Sequence, residues 1–245
     1  MNTALGLDVG GTGTKGAIVD LDTGTLITDR VKFETPQPAT PEALRETIKS
    51  VCAELNYSGD KVGVGFPCII KNQISFSASN IDNSWKGKNL FEFFSEATGK
   101  SATVVNDADA AGLAEYHFGN VTDSKGTVIL LTIGTGIGSA LFHNGIMVPN
   151  TEFGHMMFNG MKAERFVSNK VRKDEDLAWD VWALRLNSYL EHLDFLFSPS
   201  SFILGGGISK KFEKYKDNFN PELNIVPAKL FNNAGIVGAA LATKN

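Results

Sequence analysis

A strand–glycine turn–strand pattern occurs twice in the chain and limits the folds that the chain can adopt. The first copy is GLDVGGTGTKGAIV at residues 6–19, and the second is LLTIGTGIGSALF at residues 130–142. Each copy runs from an apolar strand through a glycine-rich turn into a second apolar strand, so that Asp8 corresponds to Thr132. A hairpin repeated at the start of each half predicts a duplicated α/β architecture of two lobes with a cleft between them.

Composition restricts the class of protein. The chain has 245 residues, of which 42% are hydrophobic and 20% charged, which is typical of a globular protein and excludes a disordered or fibrous one. No apolar run reaches the roughly 18 residues of a membrane span, and no secretory signal is visible, so a cytoplasmic protein without a membrane partner is expected. Because the net charge is −4, any polyanion would have to be held by a local basic patch.

Periodicity and end signals predict alternating strands and helices. A helix over 41–55 is expected to begin after the N-cap Thr40, with Pro41 in its first turn. The longest helix is predicted over about 174–197, and a basic helix over 209–216. Further strands are expected over 4–9, 15–21, 25–33, 61–66, 102–105 and 202–204, and further helices over 89–98, 108–116 and 233–242.

The chain is expected to divide into two lobes. The smaller lobe comprises residues 1–107 together with the C-terminal helix at about 234–245, and the larger lobe comprises residues 108–233.

The first glycine turn carries groups that suit phosphate. GTGTKG at 11–16 formally matches the dinucleotide fingerprint, but a strand follows it where that motif requires a helix. Glycines let backbone N–H groups face an anion, and Asp8 would suit a magnesium ion held largely through water. A plain glycine-rich hairpin is the alternative. The candidate phosphoryl-donor residues here are Asp8, Gly10, Gly11, Thr12, Gly13, Thr14 and Lys15.

A third glycine loop, GGGIS at 205–209, follows a predicted strand and opens the predicted basic helix, an arrangement that suits an anion. Basic side chains beside it and in SNKVRK at 168–173 form a candidate track for a long anionic polymer, with a solvated basic face as the alternative. The donor candidates in the loop and helix are Gly206, Gly207, Lys210 and Lys211, with Lys214 and Lys216 further along.

Polar residues after a predicted strand form the candidate catalytic site. The strand delivers Asn106 and Asp107 to a strand–helix junction, where Asp107 is either a simple helix N-cap or the group that orients an acceptor hydroxyl and takes its proton. Glu152 and His155 in TEFGH lie three residues apart, and a metal pair is the alternative there. Asn80 lies in the loop SNIDNSW, whose polar and aromatic side chains are of the kind that hold a sugar. These residues favour phosphoryl transfer to a polyhydroxyl acceptor.

Five motifs point to a known family. LDVGGTGTKG, NDADAAG, LLTIGTGIGSA, TEFGH and ILGGGIS occur in this order along the whole chain and resemble those of the ROK sugar kinases of the actin-like ATPase superfamily. The resemblance implies the two-lobed actin-like (ribonuclease H-like) α/β fold with a mixed sheet in each lobe, and Asp107 as catalytic base. It implies sugar contacts from Asn80, Asn106, Asp107, Glu152, His155 and Glu164, and donor contacts from the segment Asp8 to Lys15, from Thr135 and Gly136, and from the 205–209 loop.

The chain departs from the family pattern in one segment. Most ROK glucokinases follow E-x-G-H with the zinc motif C-x-C-G-x-x-G-C-x-E, whereas this chain has MMFNGMKAERF, which contains no cysteine. No structural zinc is therefore expected, and Glu164 stands roughly where the last glutamate of the motif would be. The cysteine-free segment, TPQPATPE, NIDNSW and GGGISKKFEKY resemble the polyphosphate-using branch of the family. Cys68 and Phe153 replace smaller residues that the family usually has close to the sugar.

The leading hypothesis is a kinase that moves the terminal phosphoryl of polyphosphate, or of ATP, to the 6-hydroxyl of glucose, with Mg²⁺ neutralising the donor oxygens. One alternative is an ATP-dependent ROK hexokinase acting on glucose, mannose or an amino sugar. The other is a non-enzymatic sugar sensor; ROK repressors carry an N-terminal DNA-binding domain, for which no room is expected before Asp8. The family also implies a homodimer and no nucleic-acid partner.

Overall fold

The computed structural model describes residues 2–78, 81–121 and 124–244. The chain forms two compact units. The first unit contains the chain up to Phe118 and the C-terminal segment from Asn233, and the second contains the chain from Gly119 to Asn232. The division therefore follows Phe118, whereas the lobe boundary predicted from the sequence follows Asp107. None of the described helices combines the length and the apolar character that a membrane crossing requires.

The two units are built from strands and helices that follow one another along the chain. The strands are β1 (Thr3–Val9), β2 (Gly13–Asp20), β3 (Val31–Glu34), β4 (Lys61–Phe66), β5 (Ile70–Lys71), β6 (Ile74–Ser75), β7 (Ser101–Asn106), β8 (Thr127–Ile133), β9 (Ile137–His143), β10 (Ile146–Val148), β11 (Met157–Phe158), β12 (Met161–Lys162), β13 (Ser201–Gly205) and β14 (Ile225–Pro227). The α-helices are α1 (Pro41–Leu55), α2 (Leu90–Thr98), α3 (Asp107–Phe118), α4 (Glu164–Val167), α5 (Asn169–Asp174), α6 (Trp179–Phe197) and α7 (Ala234–Leu241).

The sheet of the first unit has the order β3-β2-β1-β4-β7. β1, β4 and β7 run parallel, while β2 and β3 continue the sheet as antiparallel neighbours. Leu5, Leu7 and Val9 of β1 are fully buried in one apolar cluster with the buried side chains of α1 and α2. The predicted cap of α1 is confirmed, because the Thr40 hydroxyl accepts a hydrogen bond from Ala43 N and Pro41 is the first helical residue.

The C-terminal helix α7 belongs to the first unit because its backbone packs unusually closely on its neighbours. A Cβ atom at Gly6 would overlap the Ile236 carbonyl oxygen, and one at Gly63 would overlap that of Ala239. On its other side, a Cβ at Gly238 of α7 would overlap the carbonyl oxygen of Ala110 in α3. This contact between helix backbones joins α3 to the first unit and explains why the division follows Phe118.

The sheet of the second unit has the order β10-β9-β8-β13-β14. β8, β9 and β10 are antiparallel neighbours, and β13 pairs in parallel with both β8 and β14. This is the same succession of two antiparallel and two parallel pairings that the first unit has. The duplication predicted from the glycine hairpins is therefore visible in the strand order of both sheets.

Three predicted elements were wrong in their extent. The helix predicted over 174–197 is interrupted, because Asp176 has a left-handed backbone (φ 49°) between α5 and α6. The strand predicted over 25–33 is reduced to β3. In a continuous ladder a backbone carbonyl would accept the N–H of Ile18, but here the Thr28 hydroxyl accepts it. The basic helix predicted over 209–216 is a 3₁₀ helix, Ser209–Lys214, and it ends where Tyr215 turns its ring into the core.

Candidate functional site

One edge of the first unit's sheet collects the polar residues that follow its parallel strands. Asp8 lies beside Gly65 of β4 in the sheet register, and Phe66, the last residue of β4, lies beside Asn106. A Cβ at Gly65 would lie 3.7 Å from the Asp107 Cα. Asp8 and Asp107 therefore share this edge, with the end of β4, Gly65 and Phe66, between their strands.

The glycine turn after β1 is held by the segment that follows β3. Gly10 N donates to Gly13 O (3.1 Å) across the turn, the Thr35 hydroxyl donates to Gly10 O (2.6 Å), and Gln37 Nε2 donates to Gly11 O (2.8 Å). These bonds fix the carbonyl groups of the turn. The exposed turn residue Thr12 carries the hydroxyl that is open to a ligand.

Thr14 has a different environment from Thr12. Its side chain is fully buried, and its hydroxyl lies 3.2 Å from that of Thr35. Thr14 therefore stabilises the turn from its buried side and does not face a ligand. Thr35 and Gln37 were missed by the sequence analysis, although the proline-marked segment TPQPATPE that contains them was singled out.

Asp8 is one of the two carboxylates at this edge. Its Oδ2 accepts a hydrogen bond from Lys15 Nζ at 2.9 Å, and the start of α7 packs against the carboxylate, since a Cβ at Gly235 would lie 2.8 Å from Asp8 Cγ. Magnesium in phosphoryl-transfer sites is typically bound by one or two carboxylates together with substrate phosphates and water. The carboxylate of Asp8 would fit such an ion as its protein ligand. The role of Gly235 could not be read from the sequence.

Asn106 fixes the strand–helix junction at which Asp107 stands. Its side chain is buried, its Oδ1 accepts from Ala108 N (2.8 Å) and Asp109 N (3.2 Å), and its Nδ2 donates to Cys68 O (3.1 Å). Asn106 is thus the main cap of α3. Asp107 Oδ1 also accepts from Ala108 N at 2.9 Å.

Cys68 lies close enough to Asp107 to respond to its charge. Burial is the main cause that raises the pKa of the Cys68 thiol to about 11; the Asp107 charge adds to the rise, and a hydrogen bond with Ser75 opposes it. The thiol is therefore neutral at physiological pH, and it presents a small apolar group beside the junction.

In the second unit, three ionisable residues gather beside the glycine turn of β8 and β9. His155 Nδ1 lies 3.6 Å from Glu152 Oε2, and His155 Nε2 lies 3.4 Å from Glu164 Oε1. A Cβ at Gly136 would lie 2.6 Å from Glu164 Oε2, so the turn that carries Thr135 and Gly136 touches this cluster. The carboxylates face opposite nitrogens of one ring and do not converge on a point. Across the described part of the chain, no group of three His, Cys, Asp or Glu residues is arranged to hold a metal.

The loop of Glu152 and His155 is anchored on β9 and α6. The Ser139 hydroxyl donates to Thr151 O (2.8 Å) and accepts from Phe153 N (3.0 Å), and the buried Tyr189 hydroxyl donates to Phe153 O (2.7 Å). Burial is the main cause that raises the pKa of Glu152, with Glu164 adding to the rise and His155 and Lys162 opposing it.

The cysteine-free segment after this loop forms the β11–β12 hairpin. Phe158 packs its ring against Phe166, Tyr189 and His192, with centroids 5.3–5.9 Å apart. Aromatic packing therefore supports the segment that leads to Glu164.

The third glycine loop follows β13. Gly206 has a positive φ of 78°, and a Cβ there would contact the Ile133 backbone, so this position requires glycine. The buried Ser209 donates from both its backbone and its hydroxyl to Gly206 O, which closes the loop. Gly207 is exposed, with space for a ligand beside it.

The basic residues near this loop differ in their contacts with other side chains. Lys210, Lys211 and Lys214 are exposed, and Lys210 Nζ lies 5.4 Å from the Phe231 ring centroid. Because a 3₁₀ helix has three residues per turn, Lys211 and Lys214 share a face, whereas an α-helix would have brought Lys210 and Lys214 together. Lys216 forms an ion pair with Glu213.

In the second basic segment, residues 168–173, two basic side chains form contacts within the protein. Arg172 stacks over Trp179 (4.0 Å to the ring centroid) and donates to Asn169 Oδ1 and Leu177 O. Lys170 forms an ion pair with Asp174, and its backbone N–H bonds Gly134 O in the glycine turn. Asn80, the remaining sugar candidate, lies outside the described residues.

A family model and a known relative both match most of this chain. A model of the ROK family matches residues 4–176. The polyphosphate glucokinase of Mycobacterium tuberculosis is 46% identical over 97% of this chain and 90% of that protein.

Two solved structures have the same fold. The inorganic polyphosphate/ATP-glucomannokinase from Arthrobacter sp. strain KM has a TM-score of 0.92 and 45% identity, and all of both chains is covered. A ROK family glucokinase from Streptomyces griseus has a TM-score of 0.83 at 24% identity, with 99% and 100% of the two chains covered. The predicted α/β fold with a mixed sheet in each half is confirmed.

Proposed function

The chain belongs to the ROK family, whose sugar kinases have the actin-like ATPase fold, and on that premise we propose that it is a polyphosphate-dependent glucokinase. It transfers the terminal phosphoryl group of inorganic polyphosphate to the 6-hydroxyl of glucose. The observation that carries this proposal is the 46% identity to a polyphosphate glucokinase over nearly the whole chain. The Arthrobacter relative is a polyphosphate/ATP-glucomannokinase, which supports ATP as a second donor and mannose as a second acceptor.

Asp107 is the general base of the proposed reaction. The glucose O6 attacks the terminal phosphorus, the bond to the bridging oxygen of the donor breaks, and the shortened donor leaves with that oxygen. The O6 proton passes to the Asp107 carboxylate. The capping bonds of Asn106 support this role, because they hold the start of α3 in one position.

The donor is bound by the glycine turns. The first turn supplies backbone N–H groups, and Lys15 on β2 beside it supplies positive charge to the phosphate oxygens. The Thr135 turn and the loop of Gly206 and Gly207 supply further hydrogen-bond donors. Mg²⁺, held by Asp8 through water, would neutralise charge on those oxygens when bound. Lys15 supports this assignment, since its ion pair keeps the Asp8 carboxylate at the edge of the sheet.

The acceptor is bound by hydroxyl-recognising side chains. Glu152, His155 and Glu164 form a contiguous polar cluster, and the Asn106 amide has a second N–H in addition to the one donated to Cys68 O. Asn80 completes the proposed set. We further propose that the protein works in the cytoplasm as a homodimer; exposed Leu184 and Phe195 on α6 support an interface through the second unit.

The position of transfer is tested with acceptor analogues. Glucose, mannose and glucosamine are supplied with Mg²⁺ and ATP or polyphosphate, beside 6-deoxyglucose, which lacks the attacking hydroxyl. We expect product from glucose and none from 6-deoxyglucose. Phosphorylation of 6-deoxyglucose at a rate similar to that of glucose would contradict transfer to O6.

The Michaelis constant for glucose is expected to depend on pH through Glu152. Because burial raises the pKa of this carboxyl, its protonated form persists to higher pH than in an exposed glutamate, and a neutral carboxyl is a weaker acceptor for sugar hydroxyls. The KM for glucose should therefore rise as the pH falls through a pKa above the usual glutamate range. In the variant Glu152→Gln this rise should disappear, and an unchanged pH profile of KM would contradict the assignment.

Polyphosphate use is expected to depend on the exposed lysines after the third loop. The double variant Lys210→Ala/Lys211→Ala should raise the KM for polyphosphate about tenfold, and more than the KM for ATP, since a longer anion makes more charge contacts. The control is Lys49→Ala, an exposed lysine on α1, for which no change is expected. Equal losses with both donors would remove the two lysines from a polyphosphate track.

A further inference from the structure

The catalytic edge of the first unit continues beyond the glycine turn as a row of charges. Asp8 of β1 pairs in register with Lys15 of β2, and Lys15 pairs in register with Lys32 of β3. Because side chains of directly opposed residues lie on the same face of a sheet, the three charged groups stand side by side. Neighbouring strands are about 4.8 Å apart, so the backbone of Lys32 lies roughly 10 Å from that of Asp8.

Lys32 is positioned over the glycine turn. A Cβ at Gly13 would lie 2.9 Å from Lys32 Cε, so the lysine stem crosses the turn. Lys15 is partly buried and bound to Asp8, whereas Lys32 is exposed. Glu34, opposite Gly13, is the acidic neighbour on this face of β3. Two directly opposed lysines repel one another, and an anion lying across both would relieve that repulsion.

The order of these charged groups across the sheet indicates in which direction the phosphoryl donor would extend. In the sheet order β7-β4-β1-β2-β3, Asp107 follows β7, Asp8 is the last residue but one of β1, and the two lysines lie on β2 and β3. An acceptor hydroxyl at Asp107 and a transferred phosphoryl beside Asp8 would leave the rest of the donor to extend towards Lys15 and Lys32. We propose that Lys15 and Lys32 form a subsite for the phosphates of the polyphosphate chain that lie behind the transferred group.

The chemistry of the row favours a linear polyphosphate over a nucleotide. Lysine ammonium groups bind phosphate as point charges without a fixed geometry, which suits a chain of identical anionic units. The subsite rests on the proposed function, because it serves the same transfer, and it concerns residues of the first unit alone. Lys32 was not singled out by the sequence analysis, since its role depends on the register of β2 and β3.

The subsite is tested by varying the length of the donor. The variants Lys32→Ala, Lys32→Glu and Lys32→Arg are assayed with triphosphate, ATP and long-chain polyphosphate. Binding of fluorescently labelled long-chain polyphosphate is measured in parallel by anisotropy, over a series of salt concentrations. Lys61→Ala is the matched control. Lys61 is an exposed lysine of the same sheet, but it is the first residue of β4 and lies at the end of that strand away from Asp8 and Asp107.

We expect Lys32→Ala to raise the KM and the dissociation constant for long-chain polyphosphate about fivefold, with a smaller effect on the shorter donors and a weaker dependence of binding on salt. Lys32→Glu should have a larger effect, and Lys32→Arg should restore binding. Equal effects on all donor lengths, or unchanged binding in Lys32→Ala and Lys32→Glu, would overturn the subsite while wild-type turnover leaves the proposed function intact. Wild-type protein that neither binds nor uses polyphosphate would overturn both.

Discussion

Replacement of Asp107 by alanine is expected to lower the turnover of glucose by about two to four orders of magnitude, the range that a general base contributes. The variant should fold, because the Asn106 side chain caps α3 with two hydrogen bonds that do not involve Asp107. Glucose binding, measured by calorimetry, should persist, since Glu152, His155 and Glu164 supply further proposed contacts. Turnover is followed as formation of glucose 6-phosphate.

Asp107→Asn is the matched control for this loss. The amide keeps the size of the side chain and an oxygen that can accept from Ala108 N, as Asp107 does at 2.9 Å, but it cannot take the O6 proton. Its turnover should fall nearly as far as that of the alanine variant. Activity close to that of the wild type in either variant would remove Asp107 from the proposed mechanism.

Replacement of Gly238 by alanine is expected to destabilise the first unit. The new Cβ would overlap the carbonyl oxygen of Ala110 and also crowd its carbonyl carbon, and neither backbone atom can move unless α3 and α7 separate. Overpacking of this kind costs about 1–3 kcal/mol or more, partly offset by the roughly 1 kcal/mol that alanine gains over glycine within a helix. Because the overlap is with backbone atoms, we expect an overpacking cost at the upper end of that range, about 3 kcal/mol, and hence a net loss of about 2 kcal/mol. It should be seen as a lower midpoint of thermal and chemical unfolding.

Gly134→Ala provides the comparison for the stability loss, because a Cβ there would meet no atom within 4 Å. Its unfolding midpoint should stay close to that of the wild type. Since α3 begins at Asp107, three residues before Ala110, Gly238→Ala should also reduce turnover under conditions in which the protein is folded. An unchanged unfolding midpoint would contradict the close packing of α3 on α7.

The elements that the sequence predicts well are those whose signals are local. The Thr40–Pro41 start of α1 depends on one hydroxyl and one ring, both visible in the sequence. Each glycine hairpin shows an apolar strand, a glycine-rich turn and a second apolar strand in direct succession. The sequence predicts a helix from residue 174, five residues before the start of α6, because the acidic stretch after α5 is compatible with a helix. Residues 175–178 are not helical, and Asp176 among them has a left-handed backbone. The 3₁₀ helix at 209–214 follows from the burial of Tyr215, which is a tertiary effect.

The candidate site, too, can be predicted from the sequence only where its signals are local. The motifs single out Asp8, Asp107 and Glu152 as residues suited to the chemistry, and the structure adds which of them share a strand edge or a loop. Gly235 and Lys32 carry no local signal, because their contacts come from the packing of α7 and from the register of β3. Such contacts join residues that are far apart in the chain, so spacing along the sequence cannot reveal them.

The proposed donor is tested most directly by incubating purified protein with Mg²⁺, glucose and nucleotide-free polyphosphate, and measuring glucose 6-phosphate over time. A parallel reaction contains ATP as the sole donor. We predict sustained formation of glucose 6-phosphate with polyphosphate in the absence of any nucleotide. Product with ATP alone, and none with polyphosphate, would contradict polyphosphate-dependent transfer and leave an ATP-dependent sugar kinase.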